Sequence, residues 1–160
     1  MNAAKLIAKL RTARVAMVFT FMFFSPIARG RLGETLDECQ ARYGELLRIE
    51  SSFREDYPQY CFRKGDIEIR VRLLNGKSGQ EIFFVAEGGN ISQSQISEIL
   101  TANSQGASWN DVPIESTDSY PPIWKKLRSD GLAKACYSPP TLMLETFEFQ
   151  KACNAKGTGF

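Results

Sequence analysis

The clearest periodic stretch of the chain is Ile67-Glu68-Ile69-Arg70-Val71-Arg72-Leu73. Apolar and charged residues alternate there without a break, the two-residue period of a strand buried on one side and wetted on the other. Ile67, Ile69, Val71 and Leu73 define a core face; Glu68, Arg70 and Arg72 define a wet one. Asn75-Gly76 follows, the strongest short hairpin signal, with Lys77-Ser78-Gly79 lengthening the predicted loop. Gln80 to Ala86 returns as a strand ending at Gly88-Gly89, and Tyr60-Cys61-Phe62 begins an earlier one that turns at Lys64-Gly65-Asp66. Ahead of these strands the period is helical. Leu36, Cys39 and Tyr43 make one apolar stripe, Thr35 and Glu38 stand at capping-box spacing, and Gly44 marks the exit. A helix this short is unstable alone and has to lie on the sheet. Glu45 to Ile49 and the polar segment through Pro58 read as a connection holding a short extended piece.

The same order then recurs. Ile91 precedes a second capping box, Ser92 to Gln95, and Ile96 is placed to pack back onto Ile91. Ile96, Ile99 and Leu100 give that helix its apolar face, and Gly106 ends it. A loop from Ala107 to Pro122 holds Trp109; Ile123 to Arg128, Leu132 to Tyr137 and Thr141 to Phe149 read as three strands. The pattern predicts an α+β fold: a tandem repeat of a helix followed by a three-stranded antiparallel meander, with two short helices on one face of an antiparallel sheet. One domain over residues 31–150 is expected, built of halves at about 31–90 and 91–150, because neither half has enough apolar surface to stand alone. Residues 151–160 read as a C-terminal tail.

The ends change the charge picture. Lys5, Lys9, Arg11 and Arg14 precede the apolar run Val15 to Phe24, Ser25-Pro26 breaks it, and Ala28-Arg29-Gly30 offers small residues for cleavage. Residues 1–30 are therefore expected to be an export signal cut after Gly30. An uncleaved signal anchoring the chain in the inner membrane is the alternative, although the run is shorter than the ~20 residues of a comfortable span. Five of the 20 basic residues (Lys5, Lys9, Arg11, Arg14, Arg29) and none of the 18 acidic ones lie before that cut, so 15 face 18 after it, a net charge of −3. A mildly acidic chain is a poor match for nucleic acid, whose binders neutralise phosphates, and no membrane span is expected after Gly30. The expected location is periplasmic or extracellular.

Cys39, Cys61, Cys136 and Cys153 are all placed after the cut. An even count in an exported chain permits disulfides, and Cys39–Cys61 with Cys136–Cys153 is the simplest of three pairings; Cys39 also fits as a small buried hydrophobe on its helix. The spacing is unlike a metal site, and with no histidine in the chain no metal or other cofactor is expected. The absence of histidine also removes the commonest general base and the partner of Ser or Cys nucleophiles. Glu145 and Glu148, three apart on the predicted last strand, fall on opposite faces. Asp111, Glu115 and Asp118 share a loop without the spacing of a calcium site. Trp109 and Trp124 read as core rings.

Arg31-Leu32-Gly33-Glu34-Thr35-Leu36-Asp37-Glu38-Cys39-Gln40-Ala41-Arg42-Tyr43-Gly44, placed directly after an export signal, resembles the start of a group of small secreted bacterial proteins. The resemblance continues through Ile91 to Ile96, Trp109, Asp130-Gly131, Ala135-Cys136-Tyr137 and the ending Lys156-Gly157-Thr158-Gly159-Phe160, and it brings no activity with it. More distantly, Gly33-x-Thr35 and Tyr43-Gly44 are similar to the helix of SmpA/OmlA-type envelope lipoproteins and to the repeats of the β-lactamase-inhibitor-like fold. The chain departs from the lipoproteins in lacking an acylated cysteine and the Pro after the helix glycine. Those families bind proteins, so the resemblance implies a non-catalytic interaction module of the bacterial cell envelope whose partner is an envelope protein. Glu68, Arg70 and Arg72 are the candidate interaction face. The competing expectation is a hydrolase with an unrecognised carboxylate or thiol site.

Overall fold

A computed structural model describes residues 31–51, 57–114 and 122–156; the expected export signal, Glu115, Asp118 and the last four residues lie outside them. The described residues form α1 (Leu36–Tyr43), β1 (Arg48–Glu50), β2 (Gln59–Lys64), β3 (Ile67–Leu74), β4 (Lys77–Val85), α2 (Gln93–Asn103), β5 (Trp109–Val112), β6 (Trp124–Arg128), β7 (Ala133–Ser138), β8 (Thr141–Thr146) and α3 (Phe147–Ala155). The strands make one antiparallel eight-stranded sheet in the order β1-β2-β3-β4-β8-β7-β6-β5. The fold is α+β with an antiparallel sheet. Among the described residues no helix is long and apolar enough to cross a membrane.

Both expected capping boxes form. Glu38 N donates to Thr35 Oγ1 while Thr35 N donates to Glu38 Oε2, and Ser92 and Gln95 exchange the same pair at the start of α2. Gly44 closes α1 with φ +97° and an N–H bond to Gln40 O, a conformation that favours glycine. The Asn75-Gly76 turn is tighter than expected. Both residues have positive φ (53° and 77°), as a two-residue type I′ turn requires, so Lys77, Ser78 and Gly79 belong to β4 rather than to a loop. The register then slips between Arg72 and Leu73, leaving Gly79 as the extra residue of a bulge.

Three expectations need correction. Each half contributes four strands, not three: β1 was hidden in the expected connection, and β5 in the expected Ala107–Pro122 loop. The last strand stops at Thr146, whose hydroxyl accepts from Phe149 N at 3.2 Å and caps a third helix. Residues 151–155 are accordingly the end of α3 and not a tail, and Glu148 sits in that helix's first turn rather than on a strand beside Glu145.

The main core holds Ile67, Ile69 and Val71 of β3 with Cys39 and Tyr43 of α1, Ile96 and Ile99 of α2, Phe62, Phe83, Leu142 and Leu144. Phe149 and Cys153 of α3 belong to a second, smaller cluster with Tyr57, against which Leu74 packs. Trp109 and Trp124 are half-buried against the main core, Trp109 donating to Leu100 O at 2.8 Å and Trp124 stacking on Tyr137.

Candidate functional site

The alternation of β3 puts Glu68, Arg70 and Arg72 together on the side away from Ile67, Ile69 and Val71, as expected. Antiparallel register carries this side across the whole sheet. One row runs Arg48–Cys61–Arg70–Ile82–Met143–Cys136–Lys125–Val112, and the next runs Glu50–Gln59–Arg72–Gln80–Glu145–Lys134–Leu127–Asn110.

Ion pairs organise the β1 end. Arg48 donates to Glu50 Oε1 at 2.7 Å and to Glu68 Oε1 at 2.6 Å, and Arg70 Nε donates to the same Glu68 oxygen at 3.2 Å. Arg70 NH1 also lies 3.7 Å from Glu50 Oε2, and its guanidinium covers the Phe84 ring at 4.5 Å. The Glu68 side chain is only 12 % exposed and that of Arg70 32 %, so these groups are held in a lattice and not left loose in solvent. The Arg48 hydrogen bond holds the Glu50 carboxyl below its usual range, and Glu50 with Glu68 raises the Arg48 pKa further. Arg48 and Glu50 escaped the sequence reading because three residues of alternation are too few to identify a strand.

A second chain of polar contacts crosses the seam between β4 and β8. Arg72 NH1 donates to Gln80 Oε1 at 2.6 Å, Gln80 Nε2 donates to Glu145 Oε1 at 2.8 Å, and Lys134 Nζ lies 3.0 Å from Glu145 Oε2. Gln80 and Glu145 are buried, and each is satisfied by the other. Between these polar groups, Ile82, Phe84, Met143 and Leu127 remain half-buried.

No disulfide joins Cys39, Cys61, Cys136 or Cys153, the four cysteines for which pairing was open. Cys39 lies in the main core beneath α1, whereas Cys61 follows the opposite parity of β2 from Phe62, which enters that core. Cys153 is in the α3 cluster, and Cys136 stands on β7 between Met143 and Lys125. Burial, reinforced by the Glu81 and Glu34 charges, pushes the Cys39 thiol up to about 12, and burial followed by Glu50 raises Cys61. A thiol held protonated is a poor nucleophile.

Glu50, Cys61 and Glu68 bring ligand atoms within 4.8 Å of one another, a grouping that no spacing in the sequence announces. The Arg48 and Arg70 guanidiniums already hold those carboxylates and offset their charge, so the chemistry of the set is that of an ion-pair lattice. Of the expected acidic loop, Asp111 pairs with Lys126 at 2.6 Å, and Glu115 and Asp118 lie outside the described residues.

A different carboxylate lies in the main core. Glu81 is fully buried, accepting from Tyr43 OH and from Ser78 Oγ at 3.1 Å each. Burial pushes its pKa up to about 7 against the lowering effect of the two hydroxyls. Ser78 Oγ also accepts from Gly33 N, and its one proton is shared between Glu81 and Arg31 O, so Ser78 ties the chain before α1 to the β3–β4 hairpin.

No protein-family model and no curated protein matches the chain. Among solved structures, a cysteine-rich secretory protein from Staphylococcus aureus is similar over 74 % of this chain, with a TM-score of 0.41 and 16 % identity. The chain spans 45 % of that protein's length. So loose a likeness carries no functional inference.

Proposed function

We propose that this is an exported, non-catalytic interaction module of the cell envelope that binds another envelope protein through the Glu68–Arg70–Arg72 side of its sheet. The observation that carries the reading is the composition of that side: half-buried Ile82, Phe84, Met143 and Leu127 set among Arg48, Arg70, Arg72 and Lys134. Arginine, methionine and aromatic side chains are the types enriched in protein interfaces, and a lattice that fixes guanidiniums in advance lowers the entropy lost on docking. The architecture belongs to the same reading. The two halves act as tandem copies of a helix-and-meander unit, with α1 and α2 together on the core side. α3 packs on Leu74, which shares the parity of Arg72, so the part of the polar side left for a partner is the end around Arg48, Arg70, Ile82 and Phe84. Export, to the periplasm or beyond, rests on the signal-like residues 1–30.

The test is cross-linking in an envelope fraction with the native protein, Ile82→Asp and Arg70→Ala, alongside Glu87→Gln as a control at an exposed site away from this side. One dominant adduct that persists in the control and is lost in both face variants is the expected result. An adduct that survives both face variants, or no adduct with the native protein, would overturn it.

A further inference from the structure

On the core side of the sheet, away from the polar face, a cavity of about 270 Å³ opens between α2 and the start of β3. Its floor is apolar: Ile67, Ile69, Phe83 and Ile99, all drawn from the main core. Polar groups stand at its mouth, and their existing bonds decide what they have left to offer. Lys64 Nζ is engaged with Arg42 O at the end of α1 at 2.8 Å, where a cation complements the negative end of the helix. The Asp66 oxygens accept from Gln95 Nε2 at 3.2 and 3.3 Å, which fixes that wall through the α2 capping box. Glu98, one turn further along α2, also lines the cavity, and its carboxylate has no hydrogen bond or ion pair among the described residues. Two carboxylates thus face one committed ammonium. The mouth is complementary to a positive charge.

The geometry points to a binding site for a small organic ammonium ion, its apolar body over Ile67 and Ile99, which reach the cavity in front of the buried Ile69 and Phe83, and its charge on Glu98. At ~30 Å³ for each non-hydrogen centre, the volume takes a body of about nine such atoms. A ligand of that size at an open mouth binds in about the millimolar range. The charge on Glu98 adds a factor of about five, the size expected of a part-shielded ion pair.

The probe is the 2-phenylethylammonium ion, with neutral 2-phenylethanol as its isostere, each titrated into the purified protein and followed by amide and methyl chemical shifts. The ammonium ion is expected to move Ile67, Ile69 and Ile99 and to bind about fivefold more tightly than the alcohol. Glu98→Gln, a change at a part-exposed helix position, should bring the two to equal affinity. No saturable shift, equal binding of both compounds by the native protein, or a preference for the ion that Glu98→Gln leaves intact would each overturn the assignment. Shifts confined to Ile82 and Met143 would also overturn it, since they would place the probe on the polar face. That face and its partner are tested separately, and failure here leaves that reading untouched.

Discussion

Glu81 occupies a position on β4 that neighbouring strands fill with apolar side chains, Val71 on one side and Leu144 on the other. Its surroundings determine how it titrates. Tyr43 and Ser78 donate to it, Arg42 favours its charge, and Glu34 and its own burial oppose that charge. Because the folded pKa, about 7, lies above the ordinary 4.5, the folded state holds this proton more tightly than the unfolded chain does. Its contribution is full below about pH 4.5, falls as pH rises towards about 7, and levels off beyond. The difference is worth on the order of 3 kcal/mol. Urea midpoints of the native protein should carry this decline between pH 5 and pH 7.5 (roughly the window set by linkage), and Glu81→Gln should flatten it. An unchanged slope in the variant would assign the dependence to other groups. Little of this was legible: strand parity groups Glu81 with Phe83 and Val85, but the unbroken apolar run from Ile82 to Val85 leaves open which side is the core. What the sequence could not show is that Tyr43 and Ser78, from two other stretches, would satisfy it. The parity of β3, by contrast, was fully legible. Val71 is wholly buried, so Val71→Ala should cost about 2 kcal/mol in chemical denaturation, whereas Arg70→Ala should cost about 0.5 kcal/mol because its ion pairs are part-exposed. Equal losses would mean that both sides of the sheet are covered.

Elements were legible in proportion to their length and their caps. α1 and α2 announced themselves by capping boxes, and β3 by seven residues of strict alternation. β1 and β5 have three and four residues, too few for a period, and their strand character comes from pairing with β2 and β6. α3 was missed because Phe147-Glu148-Phe149 alternates as a strand does, although on the opposite parity from Leu142 and Leu144, while the Phe149–Cys153 spacing of a helix begins only there. Its seat is Gly79. A Cβ at that position would lie 2.6 Å from Phe149 Cδ2 and 2.8 Å from Phe149 Cβ, and an atom so near the backbone cannot swing aside. Gly79→Ala should therefore lift α3 from the β3–β4 bulge and cost about 2 kcal/mol, the usual scale of overpacking. Faster amide exchange across residues 147–155, with β6 and β7 unchanged, is the expected signature. Uniform acceleration would show that α3 is not a separable unit.

At the scale of the molecule, the two halves meet along β4 and β8, in four registered pairs from Gln80↔Glu145 to Phe83↔Leu142. No local pattern predicts which strand of one half will meet which strand of the other, because the partners lie about sixty residues apart and both edges look alike in sequence. Chemistry strengthens this seam on both sides. Phe83 and Leu142 bury in the main core, and on the polar side Gln80 and Glu145 close a buried bond that Lys134 and Arg72 extend. Removing the Glu145 side chain leaves Gln80 Nε2 without this acceptor and Lys134 without this carboxylate, while a buried polar group left unpaired costs about 1–3 kcal/mol. Glu145→Gln is the milder change: it keeps an acceptor for Gln80 and removes only the charge opposite Lys134. Glu145→Ala should thus lose about 2 kcal/mol, and Glu145→Gln clearly less. Because the seam joins the halves, that loss should appear as one shifted transition. Both tryptophans, Trp109 and Trp124, lie in the second half, so fluorescence reports that half while far-ultraviolet dichroism reports both. Coincident curves in the native protein and in both variants would mark a single cooperative unit. If Glu145→Ala splits them, with dichroism retaining a transition that fluorescence lacks, the first half folds without the second and the sheet is two units joined edge to edge.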